Sequence, residues 1–268
     1  MTARDGLQGE RPIPVTDRVE LIRLLLAAGL RDVEAASFVS PKAVPAMAGG
    51  ADVVAAVLPE LPDGVTVWAL VPNVKGAELA TAAGVDHLTI TVSASAAYSA
   101  KNVHMSIGEA LVQVDAIRAA APAAVLDEAI SCAFGSPFDG EDITPDDVAV
   151  FVDHARAVGI EKVTLADTTG LGTPRRVRAV LDRVGTDVGL HLHDTRGTAL
   201  LNAWTAIEAG VTRFDTALGG LGGSPFAPDA GGNLPTEELV QLLSAEGLDH
   251  GVELDAVLDA RTFIRSVV

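Results

Sequence analysis

His191-Leu192-His193-Asp194-Thr195 follows the apolar run Val188-Gly189-Leu190, so two imidazoles stand at the end of a short strand. Alternate strand residues share a face, which sets His191 and His193 side by side and turns Leu192 away. Two neutral imidazoles held this way make half of a metal site, provided oxygen or sulfur ligands arrive from elsewhere. Taken alone, a His-x-His pair also suits a core or a surface. Two further segments add the missing oxygen chemistry: Arg4-Asp5-Gly6 near the start of the chain and Gly231-Gly232-Asn233 near its end.

The elements that must position these groups are read from hydrophobic period. Apolar residues at i, i+3 and i+4 predict helices near 16–29, 50–58, 74–83, 106–121, 145–158, 174–184, 198–209 and 235–245. Thr16 and Thr144-Pro145 mark starts; Gly29, Gly84, Gly159 and Gly210 mark stops. Between the helices lie β-branched runs at 33–35, 65–70, 87–92, 126–132, 162–165, 189–193 and 213–217. Such regular alternation implies a parallel sheet covered by helices. Seven runs plus a stub at Thr2-Ala3-Arg4 make eight, the count of a (β/α)8 TIM barrel, an α/β fold over 1–268 as one catalytic domain. A doubly wound open sheet is the alternative, but no Gly-x-Gly-x-x-Gly turn follows the first strand. The stub is short against the five or six residues usual for a strand. Most of the first strand is therefore expected to be absent from this chain, leaving the barrel open beside the site unless something else covers it.

A closed barrel sets its eighth strand between the seventh and the first, and its active site lies at the C-terminal ends of the strands. Counting the stub as the first strand, Asp5 follows it, His191 and His193 end the seventh, and Asn233 lies in the loop after the eighth. Four ligands distant in sequence would then meet on one sector of the rim. Two nitrogens, a carboxylate and an amide oxygen suit Mg²⁺ or Mn²⁺ with open water positions ahead of structural Zn²⁺.

Composition limits the partners. The 268 residues are 49% apolar, enough for a large core, and the formal net charge of −17 argues against nucleic acid or an anionic membrane. Cys132 is the only cysteine, so no intrachain disulfide forms; it reads as a small buried residue in a reducing cytoplasm. No signal peptide and no run of membrane-spanning length is present.

Taken together the motifs resemble the 3-hydroxy-3-methylglutaryl-CoA lyases, within the metal-dependent lyase and condensing-enzyme superfamily of TIM barrels. The resemblance rests on Arg4-Asp5-Gly6-Leu7-Gln8, Glu34 with Ser37–Lys42, Pro72-Asn73, Ser93-Ala94-Ser95, Ser131-Cys132, Asp167-Thr168, Gly172-Thr173-Pro174, the His191–Thr195 run and Gly220-Leu221-Gly222-Gly223. It implies that Asp5, His191, His193 and Asn233 bind the metal and that Arg4 stabilises an enolate oxygen, a task suited to a permanent cation with several donors. It places Glu34 and Asp167 near the substrate hydroxyl, where one carboxylate takes its proton or both merely orient Arg4 and the ligand. Arg11 stands where the family carries a basic residue near the coenzyme phosphates. Coenzyme A would be part of the substrate, a small-molecule acyl-CoA, and a homodimer is compatible with the family.

Two departures qualify the resemblance. The lyases continue the glycine-rich loop as Gly-Gly-Cys-Pro, with the thiol as a proton donor or acceptor; here the loop reads Gly222-Gly223-Ser224-Pro225, and a hydroxyl is a much weaker acid. Arg196 stands where the family usually has an aromatic residue. The expected activity is retro-Claisen or retro-aldol cleavage of a 3-hydroxy-acyl-CoA. An aldolase acting without coenzyme A, a condensing enzyme and a non-catalytic metal-binding barrel are the alternatives.

Overall fold

The computed structural model describes residues 1–223 and 231–268. Seven parallel strands run in sequential order, β1 (Asp32–Ser37), β2 (Thr66–Leu70), β3 (His87–Ser93), β4 (Val125–Ser131), β5 (Lys162–Asp167), β6 (Gly189–Leu192) and β7 (Arg213–Asp215). Ten helices accompany them among the described residues: α1 (Val15–Ala27), α2 (Gly50–Val57), α3 (Val74–Ala82), α4 (Ala96–Asn102), α5 (Ile107–Ala120), α6 (Pro145–Ala157), α7 (Pro174–Val184), α8 (Ala199–Ala209), α9 (Thr236–Ala245) and α10 (Leu254–Val267). The architecture is that of a (β/α)8 barrel. The seven apolar runs and eight helical patterns of the sequence correspond to β1–β7 and to every helix except α4 and α10.

The expected start Thr16 lies inside α1, which begins at Val15 behind Pro14 with no side-chain cap, because the ring of Pro14 already ends the preceding loop; other starts follow side-chain chemistry. Ser106 and Glu109 form a reciprocal capping box on α5, as Thr144 and Asp147 do on α6, where Pro145 occupies the first turn. The main apolar layer lies between β2–β6 and the helices, with Leu88, Ile90, Leu126, Ile130, Leu165 and Leu190 among its buried side chains. A second cluster joins α1, α2 and α10 to β1 and to Ala3 and Leu7.

The first strand expected at Thr2–Arg4 is not a strand. The amides of Arg4 and Gly6 both donate to the Met1 carbonyl, at 3.1 and 3.2 Å, which coils the segment into the 3-10 turn Asp5–Leu7. Local bonds thus use the groups that a ladder would need. Sheet pairing stops at β1 on one side and β7 on the other among the described residues. Residues 2–6 span the C-terminal mouth of this gap: Arg4 reaches Glu34 on β1, while the Thr2 hydroxyl accepts from the Leu218 amide beyond β7 at 2.9 Å.

Candidate metal site

The strand-end imidazoles face the barrel interior. His193 lies one residue past β6, held by an isolated antiparallel bridge to Asn233, so the pleat continues and both rings point the same way. The rings meet edge to face with centroids 5.0 Å apart, and the two Nε2 atoms are 3.2 Å apart. Each Nδ1 is engaged elsewhere, that of His193 with the Thr168 carbonyl at 2.7 Å and that of His191 with Asp215 Oδ2 at 3.2 Å. A carbonyl only accepts, so His193 carries its proton on Nδ1 and presents an Nε2 lone pair.

Asp5 completes the centre. One ligand atom each from Asp5, His191 and His193 can be chosen so that all lie within 4.8 Å of one another. Asp5 Oδ1 accepts from Arg4 at 2.9 Å and from Gln8 at 2.8 Å, while Oδ2 accepts from Asn233 Nδ2 at 2.7 Å. Asn233 is buried in direct contact with the group. Two imidazole lone pairs facing each other beside a carboxylate repel unless one nitrogen carries a proton or a cation stands among them, and with both lone pairs free these residues fit a divalent ion of the oxygen- and nitrogen-binding kind. Charge is distributed accordingly. Burial alone would raise the Asp5 carboxyl, but Arg4 foremost holds it below the usual range. Burial would lower His191, yet the bond to Asp215 and the charge of Asp5 raise it; His193 is pushed down to about 4 by burial and by His191.

The glycines around this centre are steric necessities. Gly222 has φ +99°, and a Cβ there would stand 2.4 Å from Asn233 Nδ2 and 2.9 Å from Asp5 Oδ2. A Cβ on Gly232 would lie 1.8 Å from the Gly220 carbonyl oxygen. Only hydrogen at both positions lets the two loops close over the ligands.

Arg4 is buried between carboxylates, its Nε 2.5 Å from Glu34 Oε2. Burial would lower its pKa, and Glu34 and Asp5 raise it instead, so the guanidinium is a fixed cation. Glu34 Oε1 is buried without a hydrogen-bond partner among the described residues. The β-bulge between Glu34 and Ala36 inserts one residue into β1, which lets Glu34 and Ser37 both line the interior despite their odd spacing. A cavity of about 710 Å³ extends from the imidazoles past Thr164 to Asp127, within the range of small-molecule sites.

The other candidates lie elsewhere. On β5, Lys162, Thr164 and Ala166 line the cavity and Asp167 falls on the opposite face. Its carboxylate accepts from the amides of Leu171 and Gly172 at 2.9–3.0 Å; burial nevertheless lifts it to about 6. Arg11 is exposed and donates to the Val267 carbonyl on α10 at 3.1 Å, and Arg196 is exposed with Nη1 3.5 Å from the Gly170 carbonyl. Ser224 lies outside the described residues. Cys132 is fully buried and its thiol is pushed up to about 12, chiefly by burial.

A family model described as HMGL-like matches residues 1–264. The chain belongs to the HMGL-like family. The (R)-citramalyl-CoA lyase of Chloroflexus aurantiacus is 40% identical over 99% of this chain and 88% of that protein. The mitochondrial hydroxymethylglutaryl-CoA lyase of Bos taurus is 42% identical over 97% of this chain and 82% of that protein. An HMG-CoA lyase from Acinetobacter baumannii in complex with coenzyme A and 3-methylmalate has the same fold, with a TM-score of 0.92, 36% identity and coverage of 99% and 88%. In this HMGL-like barrel, two groups escaped the sequence reading. Asp215, behind His191, stands in the predicted run 213–217 with no metal-ligand spacing to mark it. Gln8, within the Arg4–Gln8 motif, donates to Asp5, a bond that its type and spacing do not announce.

Proposed function

We propose that this HMGL-like chain, acting as a single catalytic domain over 1–268, is a divalent-metal-dependent carbon–carbon lyase for 3-hydroxy-acyl-CoA thioesters of the 3-hydroxy-3-methylglutaryl type. The observation that carries the proposal is the convergence of Asp5, His191 and His193 beside the buried Arg4–Glu34 pair at the mouth of the cavity. Asp5, His191, His193 and Asn233 are the residues to hold Mg²⁺ or Mn²⁺. The ion supplies Lewis-acid polarisation of the substrate oxygens when bound.

Glu34 presents its unpartnered Oε1 to accept the proton of the substrate hydroxyl. As that O–H bond breaks, the carbinol becomes a carbonyl and the adjacent carbon–carbon bond donates its electron pair to the thioester, giving an enolate. Arg4, cationic and pre-oriented by Asp5 and Glu34, stabilises the enolate oxygen before protonation at carbon releases a shorter acyl-CoA. Asp167, with its oxygens held by backbone amides, orders the 168–172 loop that carries the Thr168 carbonyl and thereby His193. Arg11 supplies positive charge to the coenzyme phosphates on an otherwise acidic molecule. Ser224 provides a hydroxyl to a substrate oxygen or water.

A mass-spectrometric screen of 3-hydroxy-acyl-CoA thioesters with Mg²⁺ and with Mn²⁺ tests this. Metal-dependent release of a shorter acyl-CoA is expected. Cleavage of 4-hydroxy-2-oxo acids without thioester, or no turnover of any thioester in metal-bound protein, would overturn it.

A further inference from the structure

The imidazoles of the site are anchored unequally. His193 leans on a main-chain carbonyl, which has a fixed position and no charge. His191 leans on a carboxylate, Asp215, directly across the β6–β7 register from it, with Oδ2 3.2 Å from Nδ1. Asp215 makes no other hydrogen bond recorded among the described residues. The nearby cation Arg213 is committed elsewhere: it pairs with Asp127 and donates to Thr164 and to the Val163 carbonyl. Arg213 and Arg4 act on Asp215 through charge, but among the described residues its hydrogen bond goes to the imidazole.

We infer that Asp215 is a positioning residue that holds His191 as its Nδ1–H tautomer, with the Nε2 lone pair turned into the ligand centre. An ionised carboxylate only accepts, so it selects the tautomer with hydrogen on Nδ1. It also fixes the ring plane and increases the electron density that Nε2 offers to a cation. The steric need is particular to this site, because His191 Nε2 stands 3.2 Å from His193 Nε2. With His193 fixed as Nδ1–H, an Nε2–H tautomer of His191 would donate to its neighbour and occupy the space of the ion. Asp215 disfavours that internal hydrogen bond and keeps the pair of lone pairs available. This rests on the metal-site reading above, and its position on β7 links the ligand set to the edge strand of the sheet.

The test uses the full chain as wild type, Asp215→Asn and Asp215→Ala, with two readouts. Mn²⁺ affinity is measured by calorimetry, and the ring ¹⁵N shifts of His191 and His193 are measured in chelator-treated protein at a pH where both rings are neutral. Asp215→Ala is expected to weaken Mn²⁺ binding about 10–100-fold and to move His191 toward the Nε2–H pattern, with His193 unchanged. Asp215→Asn, whose Oδ1 still accepts but carries no charge, is expected to retain the Nδ1–H pattern with Mn²⁺ affinity partly weakened, between wild type and Asp215→Ala. Affinity within threefold of wild type together with an unchanged His191 tautomer in Asp215→Ala overturns the inference. If Asp215→Ala does not fold, the Asn variant decides: a normal tautomer with partly weakened Mn²⁺ supports the inference, and identity with wild type in both readouts overturns it. Wild-type protein that binds no Mn²⁺ overturns the metal-site reading instead, and the tautomer measurement still judges the role of Asp215.

Discussion

Glu128→Gln should stabilise this protein, and increasingly so as pH rises. Asp127, Ala129 and Ser131 of β4 line the cavity, so the pleat turns Leu126, Glu128 and Ile130 toward the helices. Glu128 is fully buried there, and neither of its carboxylate oxygens has a hydrogen-bond partner. Burial first, then the charges of Asp127 and Asp115, lift its pKa from 4.5 to about 8. An acid whose pKa is raised by folding binds its proton more tightly in the folded state. Its unfavourable contribution is absent below the unfolded pKa, grows between about pH 4.5 and 8, and is constant above. At about 1.4 kcal/mol per pH unit, the folded state loses roughly 4 kcal/mol of stability by pH 8 relative to pH 4 from this one group. Glutamine keeps the shape and the buried polar atoms but never ionises. Urea unfolding of both proteins at pH 5 and pH 8 measures the effect: a difference of about 1 kcal/mol is expected at pH 5 and of several kcal/mol in favour of the variant at pH 8. If the two proteins lose stability in parallel between these pH values, Glu128 is ionised in the fold and the reasoning fails.

Five further substitutions have expected outcomes. His193→Ala should weaken Mn²⁺ binding beyond the 10–100-fold typical of an outer-partner loss while leaving thermal unfolding nearly unchanged, read by calorimetry and melting curves. Glu34→Gln should lower kcat by about 100-fold or more with Mn²⁺ affinity largely kept, whereas Asp167→Asn should act first on melting temperature through the 168–172 loop. Arg11→Ala should raise KM for a full coenzyme A thioester and leave KM for a truncated thioester lacking the phosphates unchanged. Ser224→Cys should lower kcat/KM for 3-hydroxy-3-methylglutaryl-CoA cleavage, because sulfur is a weaker hydrogen-bonding atom than the hydroxyl proposed to meet a substrate oxygen; a rise of tenfold or more, about 1.4 kcal/mol of barrier, would instead make the loop position a proton donor, since a thiol of pKa about 8.5 is far closer to neutrality than an alcohol.

Much of this was legible in the residues because period and spacing act locally. The His-x-His alternation places both rings on one face whatever the rest of the fold does, and capped amphipathic runs mark α5 and α6 directly. What escaped was set by non-local competition. Thr2–Arg4 looks extended in isolation, yet Met1 offers a carbonyl to two nearby amides and the segment turns. Asp215 carries no signal until β7 is laid beside β6. The Asp127-Glu128 pair did hold a warning: adjacent acids on a strand buried on both faces cannot both reach water. Asp127 meets Thr164 and Arg213, but no described residue answers Glu128. The parity of β5 could likewise have separated Asp167 from the interior. The β1 bulge, which brings Glu34 and Ser37 to one face, is invisible to parity.

The bond between Asp5 and Asn233 joins residues 228 positions apart, whereas Arg4 and Glu34 are separated by only 30. During synthesis the ion pair therefore has its partners early, while the ligand set waits. At about 5–20 residues per second, Asn233 follows Asp5 by roughly 10–50 s, a time long compared with closure of any short loop. No nascent chain that ends before His193 can assemble the imidazole–carboxylate centre, and none that ends before Asn233 can seal it. Ion uptake is thus a late event of synthesis, and a product terminated before His191 would carry the Arg4–Glu34 pair without the imidazoles that bind the ion.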